Sequence, residues 1–452
     1  MRYGIWLLLT LVVAAPRLAP KQPNIVLILV DDMGYGELSG YGNPDVQTPH
    51  LDSLMRAGLR FTQCYANSTV CSPTRAALLT GRYPDAVGVP GVIRSDTADN
   101  WGYLAPSATL LPQHLKRAGY HTALVGKWHL GFRSPNLPND RGFDHFHGHL
   151  EGMMDDYVTH LYRGKKFMYL NRQRDDAPLH ATTLFSRWAV EYLNSRRGKP
   201  NPFFLYLAYT APHDPLQPPA EYLEQIKAAR PDLPANRAAL MGLIKHLDDQ
   251  VGVVLNTLRA NGQADNTIIL FASDNGGLPR MDARNAPYRG GKGDMLEGGL
   301  RVPMFLTWPN VVAPNQTTDA QTILMDILPT LLDATNVPRP TGLDGRSFLP
   351  LLQNVGVVLP PRDLLWMRRE GNGPSYYGQD YYAIRRGPWK LLRNNPFQPY
   401  QLYNLDTDPG ETTDLAPQQR AKVDELAKAI QAHISRVGYV PWNEPRRASH
   451  TR

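Results

Sequence analysis

Cys71, one of only two cysteines in the 452-residue chain, opens a segment whose residue types could do chemistry. Ser72 and Pro73 favour the start of a helix directly after it, and Gly81 favours the end of that helix. Cys71 would then lie at the positive end of the helix dipole, with Arg75 one turn further along on the same side. Because such surroundings lower the pKa of a thiol, a cysteine nucleophile is a first hypothesis.

The second cysteine leaves another possibility open. Cys64 is close enough in sequence to form a disulfide with Cys71, and that bridge would consume the Cys71 thiol. No further cysteine is present to complete a zinc site or a redox pair.

Further side chains that could take part in chemistry come directly after apolar segments. The segments NIVLILV, TALV, PFFLYLAY and TIILFA each lead into ionisable or amide residues, namely Asp31 and Asp32, Lys127 and His129, His213, and Asp274 and Asn275. Any one of these could be an ordinary loop residue, and Asp31-Asp32 could simply cap a helix. Ligands of open α/β sheets bind beyond the carboxyl ends of the strands, so the recurrence at four segment ends predicts a shared site.

The elements that must position these residues read as an α/β fold. Short continuous apolar runs are typical of strands buried on both faces, and helical periodicity lies between them in TPHLDSLMRAGLR, LLPQHLKRAG and IKHLDDQVGVVLNTLRANG. This alternation predicts a large mixed, mostly parallel sheet sandwiched by helices. Near the end of the chain, YYAIRRGPWKLLRN, YQLYNLD and PQQRAKVDELAKAIQAHISRV predict a smaller C-terminal antiparallel sheet plus helix.

The chain is accordingly divided into four parts. Residues 1–20 read as a secretory signal peptide, because YGIWLLLTLVVAA is short for a membrane span and ends in small residues; an uncleaved anchor is the alternative. Residues 21–355 form the predicted catalytic domain, 356–443 a C-terminal subdomain, and 444–452 a flexible tail. We therefore expect an exported protein, periplasmic or extracellular, or lysosomal or secreted if eukaryotic.

Composition narrows the function only slightly. The formal net charge of +7 suits an anionic substrate, but it suits nucleic acid or a polyanionic surface equally well. GGKGD contains Lys292 in a glycine-rich loop, yet it lacks the complete Walker pattern, which argues against a nucleotide site.

The segment CSPTR followed by AALLTGR resembles the signature of type I sulfatases, in which the cysteine is oxidised to Cα-formylglycine (3-oxoalanine). PNIVLILVDDMGYGELSGYG, GKWHLG, APHDP, SDNGG and GGKGDMLEGGLRVP each resemble a further family block, in the family's order. DILPTLLDATNVPRPTGLDGRSFLPLL and QLYNLDTDPGETTDLA extend the resemblance through the C-terminal part. The chain thus looks like an arylsulfatase-like member of the alkaline-phosphatase-like superfamily, which implies a sulfuric ester hydrolase.

The resemblance also implies a ligand set and residue roles. One Ca²⁺ per chain would be held by Asp31, Asp32, Asp274, Asn275 and the formylglycine at position 71, a hard-oxygen set that suits this ion. A hydroxyl of the formylglycine hydrate would attack sulfur and give a covalent sulfated hemiacetal. Arg75 would hold the hydrate in place, and Lys127, His213 and Lys292 would bind the sulfate group. His213, with Lys292, would protonate the leaving oxygen. His129 would remove the proton whose loss allows sulfate to leave.

Two other functions stay open on the sequence. A phosphate or phosphonate ester hydrolase of the same superfamily is the nearer one, but a Cys precursor and a single hard-cation site favour sulfate. A non-catalytic binder of sulfated glycans is the other, if Cys71 is never modified. Expected partners are a sulfated carbohydrate or other sulfate ester and, during biosynthesis, a formylglycine-generating enzyme or maturase, with no nucleic acid and no stable membrane insertion.

The substrate itself is predicted only as a class. The segments 85–105, 144–163 and 366–382 carry the Trp, Tyr, His, Asp and Arg residues that suit a saccharide at the mouth of a pocket. They favour an exo-acting glycan sulfatase. Asn67 and Asn315 begin glycosylation sequons, which matter only in a eukaryotic secretory pathway.

Overall fold

The computed structural model describes residues 22–96, 99–175, 177–370 and 380–443. A ten-stranded sheet runs through the main domain in the order β13-β2-β12-β11-β1-β10-β4-β5-β8-β9. In that order its strands are Gln316–Thr318, Leu59–Phe61, Met304–Thr307, Thr267–Ser273, Asn24–Val30, Phe203–Ala208, His121–Lys127, His145–His149, Met168–Leu170 and Gln173–Arg174. The five central strands, β11 to β5, are all parallel, and antiparallel pairs at β12–β11, β2–β12, β5–β8 and β8–β9 make the sheet mixed.

Helices cover both faces of this sheet because its central strands are apolar on both sides. Along β1, Ile25, Leu27 and Leu29 enter one core, whereas Val26, Ile28 and Val30 enter the other. The first core is closed by α2 (Cys71–Thr80), α3 (Leu111–Arg117), α8 (Ile327–Ala334) and α9 (Leu349–Gln353). The second is closed by α1 (Pro49–Arg56), α4 (Ala181–Ser195), α5 (Ala220–Ala229) and α6 (Ala235–Ala260).

The C-terminal part has its own sheet and its own core. Strands β15 to β18 form an antiparallel meander and run over Asp363–Arg369, Asp380–Arg386, Trp389–Arg393 and Gln401–Asn404. Helix α10 (Arg420–Val437) packs on this meander through Leu426 and Ile430. The short helix α7 (Glu297–Leu300) contributes Leu300 to the same core and so joins the two parts.

Two small pairs complete the fold. Strand β3 (Cys64–Tyr65) pairs with β14 (Thr322–Ile323), and β6 (Leu161–Tyr162) pairs with β7 (Lys165–Lys166). Within the described residues, no helix combines the length and the apolar character needed to cross a membrane.

The predicted fold class is confirmed, since the large sheet is mixed but mostly parallel and the C-terminal sheet is antiparallel with one helix. The domain boundary at residue 356 stays a prediction. The predicted signal peptide, residues 1–20, and the predicted tail, residues 444–452, both lie outside the described residues.

Candidate active site

The four segment ends singled out in the sequence meet at one edge of the central sheet. Strands β11, β1, β10 and β4 are neighbours in that order, so the residues after them lie side by side. Backbone hydrogen bonds fix the approach, because Asp274 N donates to Val30 O at 3.1 Å and Asp31 N donates to Ala211 O at 3.3 Å. Asp32 adopts a positive φ of 63°, which turns the chain sharply at the end of β1.

Helix α2 brings Cys71 and Arg75 to the same edge. It starts at Cys71 and ends before Gly81 in the left-handed conformation, as the sequence predicts. The fully buried Arg75 guanidinium lies 2.7 Å from Asp274 Oδ2 through one terminal nitrogen, and that same nitrogen is 3.5 Å from Asp31 Oδ1. Arg75 therefore links two acidic side chains that come from different strands.

Two lysines pair with the other acidic oxygens. Lys127 Nζ lies 2.5 Å from Asp31 Oδ2, and Lys292 Nζ lies 2.7 Å from Asp32 Oδ2. Burial opposes ionisation of Asp31, but Lys127 and the other nearby cations hold the pKa of this carboxyl well below its usual range. Burial, followed by repulsion from Asp31, raises the pKa of Asp274 to about 7. The site thus sets three carboxylates against three cations but stabilises the individual carboxylates unequally.

His213 is held between Asp214 and Lys292. Its Nδ1 lies 2.7 Å from the Asp214 backbone oxygen and 3.0 Å from a carboxylate oxygen of the same residue, so Nδ1 carries the proton. Its Nε2 is 3.0 Å from Lys292 Nζ and 3.6 Å from Asp32 Oδ2. The lysine and the imidazole therefore form one proton-bearing unit beside the carboxylates.

His129 is prepared for the opposite role, as a proton acceptor. Its Nε2 lies 2.9 Å from the Ile93 backbone oxygen and must donate there, so Nδ1 keeps its lone pair. No described residue hydrogen-bonds to this buried Nδ1. Burial, together with Lys127 and Arg75, keeps the pKa of His129 well below 6.5, and the imidazole is neutral.

The surroundings of Cys71 differ from those expected for a thiolate. The sequence predicts a lowered pKa, but burial raises the pKa of the Cys71 thiol above its usual value despite the nearby Lys127. Its Sγ and carboxylate oxygens of Asp31 and Asp274 all lie within 4.8 Å of one another. Cys64 and Cys71 are both free thiols, so the possible Cys64–Cys71 disulfide is not formed. The plain cysteine nucleophile is therefore disfavoured by electrostatics.

The donor set at this edge fits a hard divalent cation. Asp31 Oδ1 and Asn275 Oδ1 are buried and accept no hydrogen bond from any described residue. The Asn275 amide is oriented by its Nδ2, which donates to Asp32 Oδ1 at 2.8 Å and leaves the oxygen available. Carboxylate and amide oxygens, two of them without donors, are the ligands that Ca²⁺ and Mg²⁺ prefer. The residues named in the sequence for the metal thus fit the ion.

All ten residues singled out in the sequence are brought to this one edge, and several neighbours were not foreseen. Asp214 follows His213 directly, so its contact could have been suggested by adjacency. Gly152 and Tyr157 pack against His129 and His213 from a distant loop, and no local pattern marks them. A shallow cavity of about 460 Å³ was also missed; Pro279, Arg284, Tyr288 and Arg289 are among its lining residues.

Comparisons with known proteins agree with this geometry. A profile described as Sulfatase matches residues 23–337, and one described as N-sulphoglucosamine sulphohydrolase, C-terminal, matches residues 291–438. The chain is 33% identical to human N-acetylgalactosamine-6-sulfatase over 92% of this chain and 86% of that protein. It is 31% identical to human arylsulfatase A over 94% and 89%.

A solved structure extends the comparison to three dimensions. The crystal structure of Ps i-CgsB in complex with k-i-k-neocarrahexaose superposes with a TM-score of 0.84 at 30% identity and covers 94% of this chain and 96% of its own. Similarity therefore spans the main domain and the C-terminal sheet together.

Proposed function

The chain belongs to the sulfatase family and is a sulfuric ester hydrolase, and we propose that residue 71 acts as a formylglycine beside one Ca²⁺ ion. The observation that carries the proposal is the buried cluster at the sheet edge, in which Asp31 Oδ1 and Asn275 Oδ1 lack donors next to Cys71. Burial raises the pKa of the Cys71 thiol, which disfavours a thiolate nucleophile as the alternative. Conversion requires a two-electron oxidation at Cβ and loss of the sulfur as sulfide, with the oxidant supplied by a maturation enzyme.

Asp31, Asp32, Asp274, Asn275 and the oxygen at position 71 would hold the ion, which when bound supplies positive charge that polarises the sulfate ester and the attacking oxygen. Lys127 and Lys292 bind the sulfate oxygens as point charges, since both ammonium groups already lie at this edge beside carboxylates. Arg75 keeps Asp31 and Asp274 in place by contacting both.

The histidines divide the proton transfers. His213 and Lys292, 3.0 Å apart, deliver a proton to the leaving oxygen on one side of the site. His129, neutral and with Nδ1 free to accept, removes the proton that must leave residue 71 when sulfate is expelled. The orientation of each ring matches its task, because Nδ1 of His213 is tied to Asp214 and Nε2 of His129 to Ile93.

We propose a sulfated sugar as the substrate and exo cleavage as the mode of action. The sugar is supported by the names of the relatives, one an N-acetylgalactosamine-6-sulfatase and one bound to k-i-k-neocarrahexaose. Burial of Lys127 and His213 supports a pocket that admits a terminal sulfate group. The cavity lined by Pro279 and Gly290 is the place we propose for the rest of the sugar, since residues next to its lining in sequence reach the site: Arg280 lies 3.9 Å from Asp214, and Lys292 follows Gly290 by two residues.

Arg284, Tyr288 and Arg289 give that cavity the chemistry of a saccharide site with anionic groups. We also propose that the protein is exported, on the strength of the N-terminal apolar segment, and that a maturase modifies Cys71 before or during export.

The test is sulfate release from N-acetylgalactosamine 6-sulfate and from 4-nitrophenyl sulfate by protein co-expressed with a maturase, with and without Ca²⁺. Release from the sugar that depends on Ca²⁺ is expected, with 4-nitrophenyl phosphate cleaved far more slowly. A matured protein that prefers the phosphate ester contradicts the proposal, and one that binds sulfated sugars without releasing sulfate is a binder instead.

A further inference from the structure

The segment 149–157, between β5 and the short strand β6, contacts both of the histidines assigned to proton transfer. Its position follows from the sheet, because His149 closes β5 and pairs in register with Lys127 at the end of β4. Beyond these strands the pairing continues: Trp128 N donates to His149 O at 2.9 Å and His129 N donates to Leu150 O at 3.2 Å. The backbone of His129 is therefore aligned by this segment.

Gly152 then fixes the His129 ring. A Cβ atom at Gly152 would lie 2.4 Å from both Cε1 and Nε2 of His129, far inside van der Waals contact. The ring cannot retreat easily, since it is only 2% exposed and its Nε2 is bonded to Ile93 O. A side chain at position 152 would push the imidazole away from Ile93 O. Glycine at this position therefore preserves the hydrogen bond from Nε2 that leaves Nδ1 free.

Tyr157 holds His213 from the other end of the segment. Its hydroxyl donates to the His213 backbone oxygen at 2.8 Å, and the whole side chain is buried. Tyr157 is itself anchored, because its backbone nitrogen donates to Gln217 Oε1 at 3.0 Å and its ring stacks on His180 with 4.8 Å between centroids. A rotation of the His213 loop would break this hydrogen bond.

His149 adds a third contact to the His213 loop. Its Nε2 lies 2.8 Å from Thr210 Oγ1, and the backbone oxygen of Thr210 accepts a hydrogen bond from His213 N at 2.9 Å. The loop that carries His213 therefore contacts segment 149–157 at two places, at Thr210 through His149 and at His213 itself through Tyr157. His149 and Tyr157 are fully buried and contact the loop behind the reacting groups.

We propose that segment 149–157 is a positioning element for both proton transfers, with Tyr157 setting the orientation of His213 and Gly152 that of His129. The inference rests on the proposed function, in which His213 protonates the leaving oxygen and His129 acts at the later release of sulfate. One continuous segment contacts the ring of His129 at Gly152 and the backbone of His213 at Tyr157. The two histidines can be disturbed separately, since the three atoms nearest to a Cβ at Gly152 all belong to His129, whereas the Tyr157 hydroxyl donates to the His213 backbone.

The first test uses the leaving group. Tyr157→Phe is expected to lower kcat/KM about 10-fold on a sugar sulfate, whose alkoxide needs the proton, and less than about 3-fold on 4-nitrophenyl sulfate, whose phenolate does not. Tyr120→Phe is the matched control, because the Tyr120 hydroxyl is also buried and donates to a backbone oxygen, that of Pro23, at 2.8 Å. Tyr120→Phe should leave the ratio of kcat/KM for the sugar sulfate to kcat/KM for 4-nitrophenyl sulfate unchanged.

The second test separates the two steps. Gly152→Ala is expected to lower kcat about 10-fold or more on both substrates while kcat/KM changes little, because sulfate release follows the first irreversible step. Gly356→Ala is its control, as the nearest atom to a Cβ there is the side-chain oxygen of Asn354, at 3.3 Å, and Gly356 does not line the cavity proposed for the sugar. A crystal structure of each variant checks which ring has moved.

The outcomes distinguish this inference from the proposed function. Wild-type protein that releases sulfate from neither substrate overturns the function itself. Active wild type with equal losses on both substrates in Tyr157→Phe overturns the positioning role of Tyr157. A fall in kcat/KM rather than kcat in Gly152→Ala overturns that of Gly152, and if this variant does not fold, the substrate ratio of Tyr157→Phe decides alone.

Discussion

Two buried charged clusters in this molecule differ in the partners of their oxygen atoms. At the sheet edge, Asp31, Asp32 and Asp274 crowd together, and Asp31 Oδ1 and Asn275 Oδ1 accept no hydrogen bond from the described residues. At the junction with the C-terminal sheet, Lys390 Nζ lies 2.9 Å from both Glu297 and Glu411. The other oxygen of Glu297 accepts from the Tyr65 hydroxyl at 2.8 Å, so both oxygens of Glu297 have donors.

The two clusters also differ in how the protein stabilises their buried carboxylates. At the junction, burial opposes ionisation of Glu297, but Lys390 and the neighbouring arginines lower its pKa, whereas burial raises the pKa of Glu411. At the site, Asn275 Oδ1 has no hydrogen-bond partner among the described residues, and burial with repulsion from Asp31 raises the pKa of Asp274 to about 7, which a bound cation would lower. We therefore expect a bound cation to stabilise the sheet-edge cluster and not the junction.

The largest expected effect separates the two cysteines. Cys71→Ala should reduce sulfatase activity by at least about 10⁴-fold, because it removes the nucleophile, with little change in thermal stability. Cys64→Ala removes a buried thiol that contacts Met304 Sδ at 3.4 Å and should keep activity while lowering stability. Activity assays and thermal unfolding on the same preparations decide. Residual activity in Cys71→Ala within about 10-fold of wild type would contradict the role of residue 71.

A matched pair of lysine variants tests the contrast directly. Lys127→Met and Lys390→Met each remove a fully buried ammonium group, and in Ca²⁺-free buffer each should cost about 3–5 kcal/mol of unfolding free energy. Because Asp31 is a proposed calcium ligand, saturating Ca²⁺ should restore stability to Lys127→Met but not to Lys390→Met. Denaturant unfolding with and without Ca²⁺ measures this. An equal gain of unfolding free energy on addition of Ca²⁺ in both variants would contradict the proposal that only the sheet-edge cluster binds the ion.

Removing the metal should affect only one cluster. Wild-type protein at a free Ca²⁺ concentration of about 100 times Kd is expected to gain about 2.7 kcal/mol over the chelated protein, and its Tm should rise accordingly. Asn275→Ala, which removes a buried oxygen without a donor, should show a smaller gain at the same Ca²⁺ concentration. A full calcium response in Asn275→Ala would show that this oxygen is not a ligand.

The smallest effect concerns the junction. Tyr65→Phe removes the hydroxyl that donates to Glu297 and should cost about 1.5–3 kcal/mol, the range for a hydrogen bond to a charged group, with activity close to wild type. Tyr120→Phe loses a bond to a neutral carbonyl and should cost less, about 1 kcal/mol. Urea unfolding of the two variants gives the comparison. A loss of activity in Tyr65→Phe greater than its loss of stability would mean that the junction also serves the chemistry.

The central fold could be predicted from the sequence because its strands carry a strong signal. β1, β4, β10 and β11 are apolar on both faces, and that pattern does not depend on distant residues. Strand β5 escaped notice because its sequence, HFHGH, contains three histidines, and its burial depends on partners supplied by β8 and α4. Short β2 and β13 are likewise set by their pairing and not by their own composition.

The site residues followed from their places at strand ends and from the family resemblance, but their electrostatics did not. The helix dipole and Arg75 suggest a lowered pKa for Cys71, whereas its complete burial, which no local pattern reveals, raises the pKa. Segment 144–163 was expected to recognise sugar at the mouth of a pocket. That role stays a prediction for its exposed residues, such as Asp155 and Thr159, whereas Tyr157 and His149 are fully buried. The hydrogen bond from Tyr157 to His213 joins residues far apart in sequence, so no local pattern reveals it.

The most direct test of the account is the mass of the peptide that contains residue 71, taken from protein that has been assayed for sulfate release. We expect active protein, made with a maturase, to carry the aldehyde peptide, about 18 Da lighter than the cysteine form; the hydrate nearly equals the cysteine form in mass and is distinguished from it by its failure to react with a thiol-alkylating reagent. We expect the unmodified form to be inactive. A fully active preparation in which residue 71 is an unmodified cysteine would contradict the central claim that the nucleophile is a formylglycine.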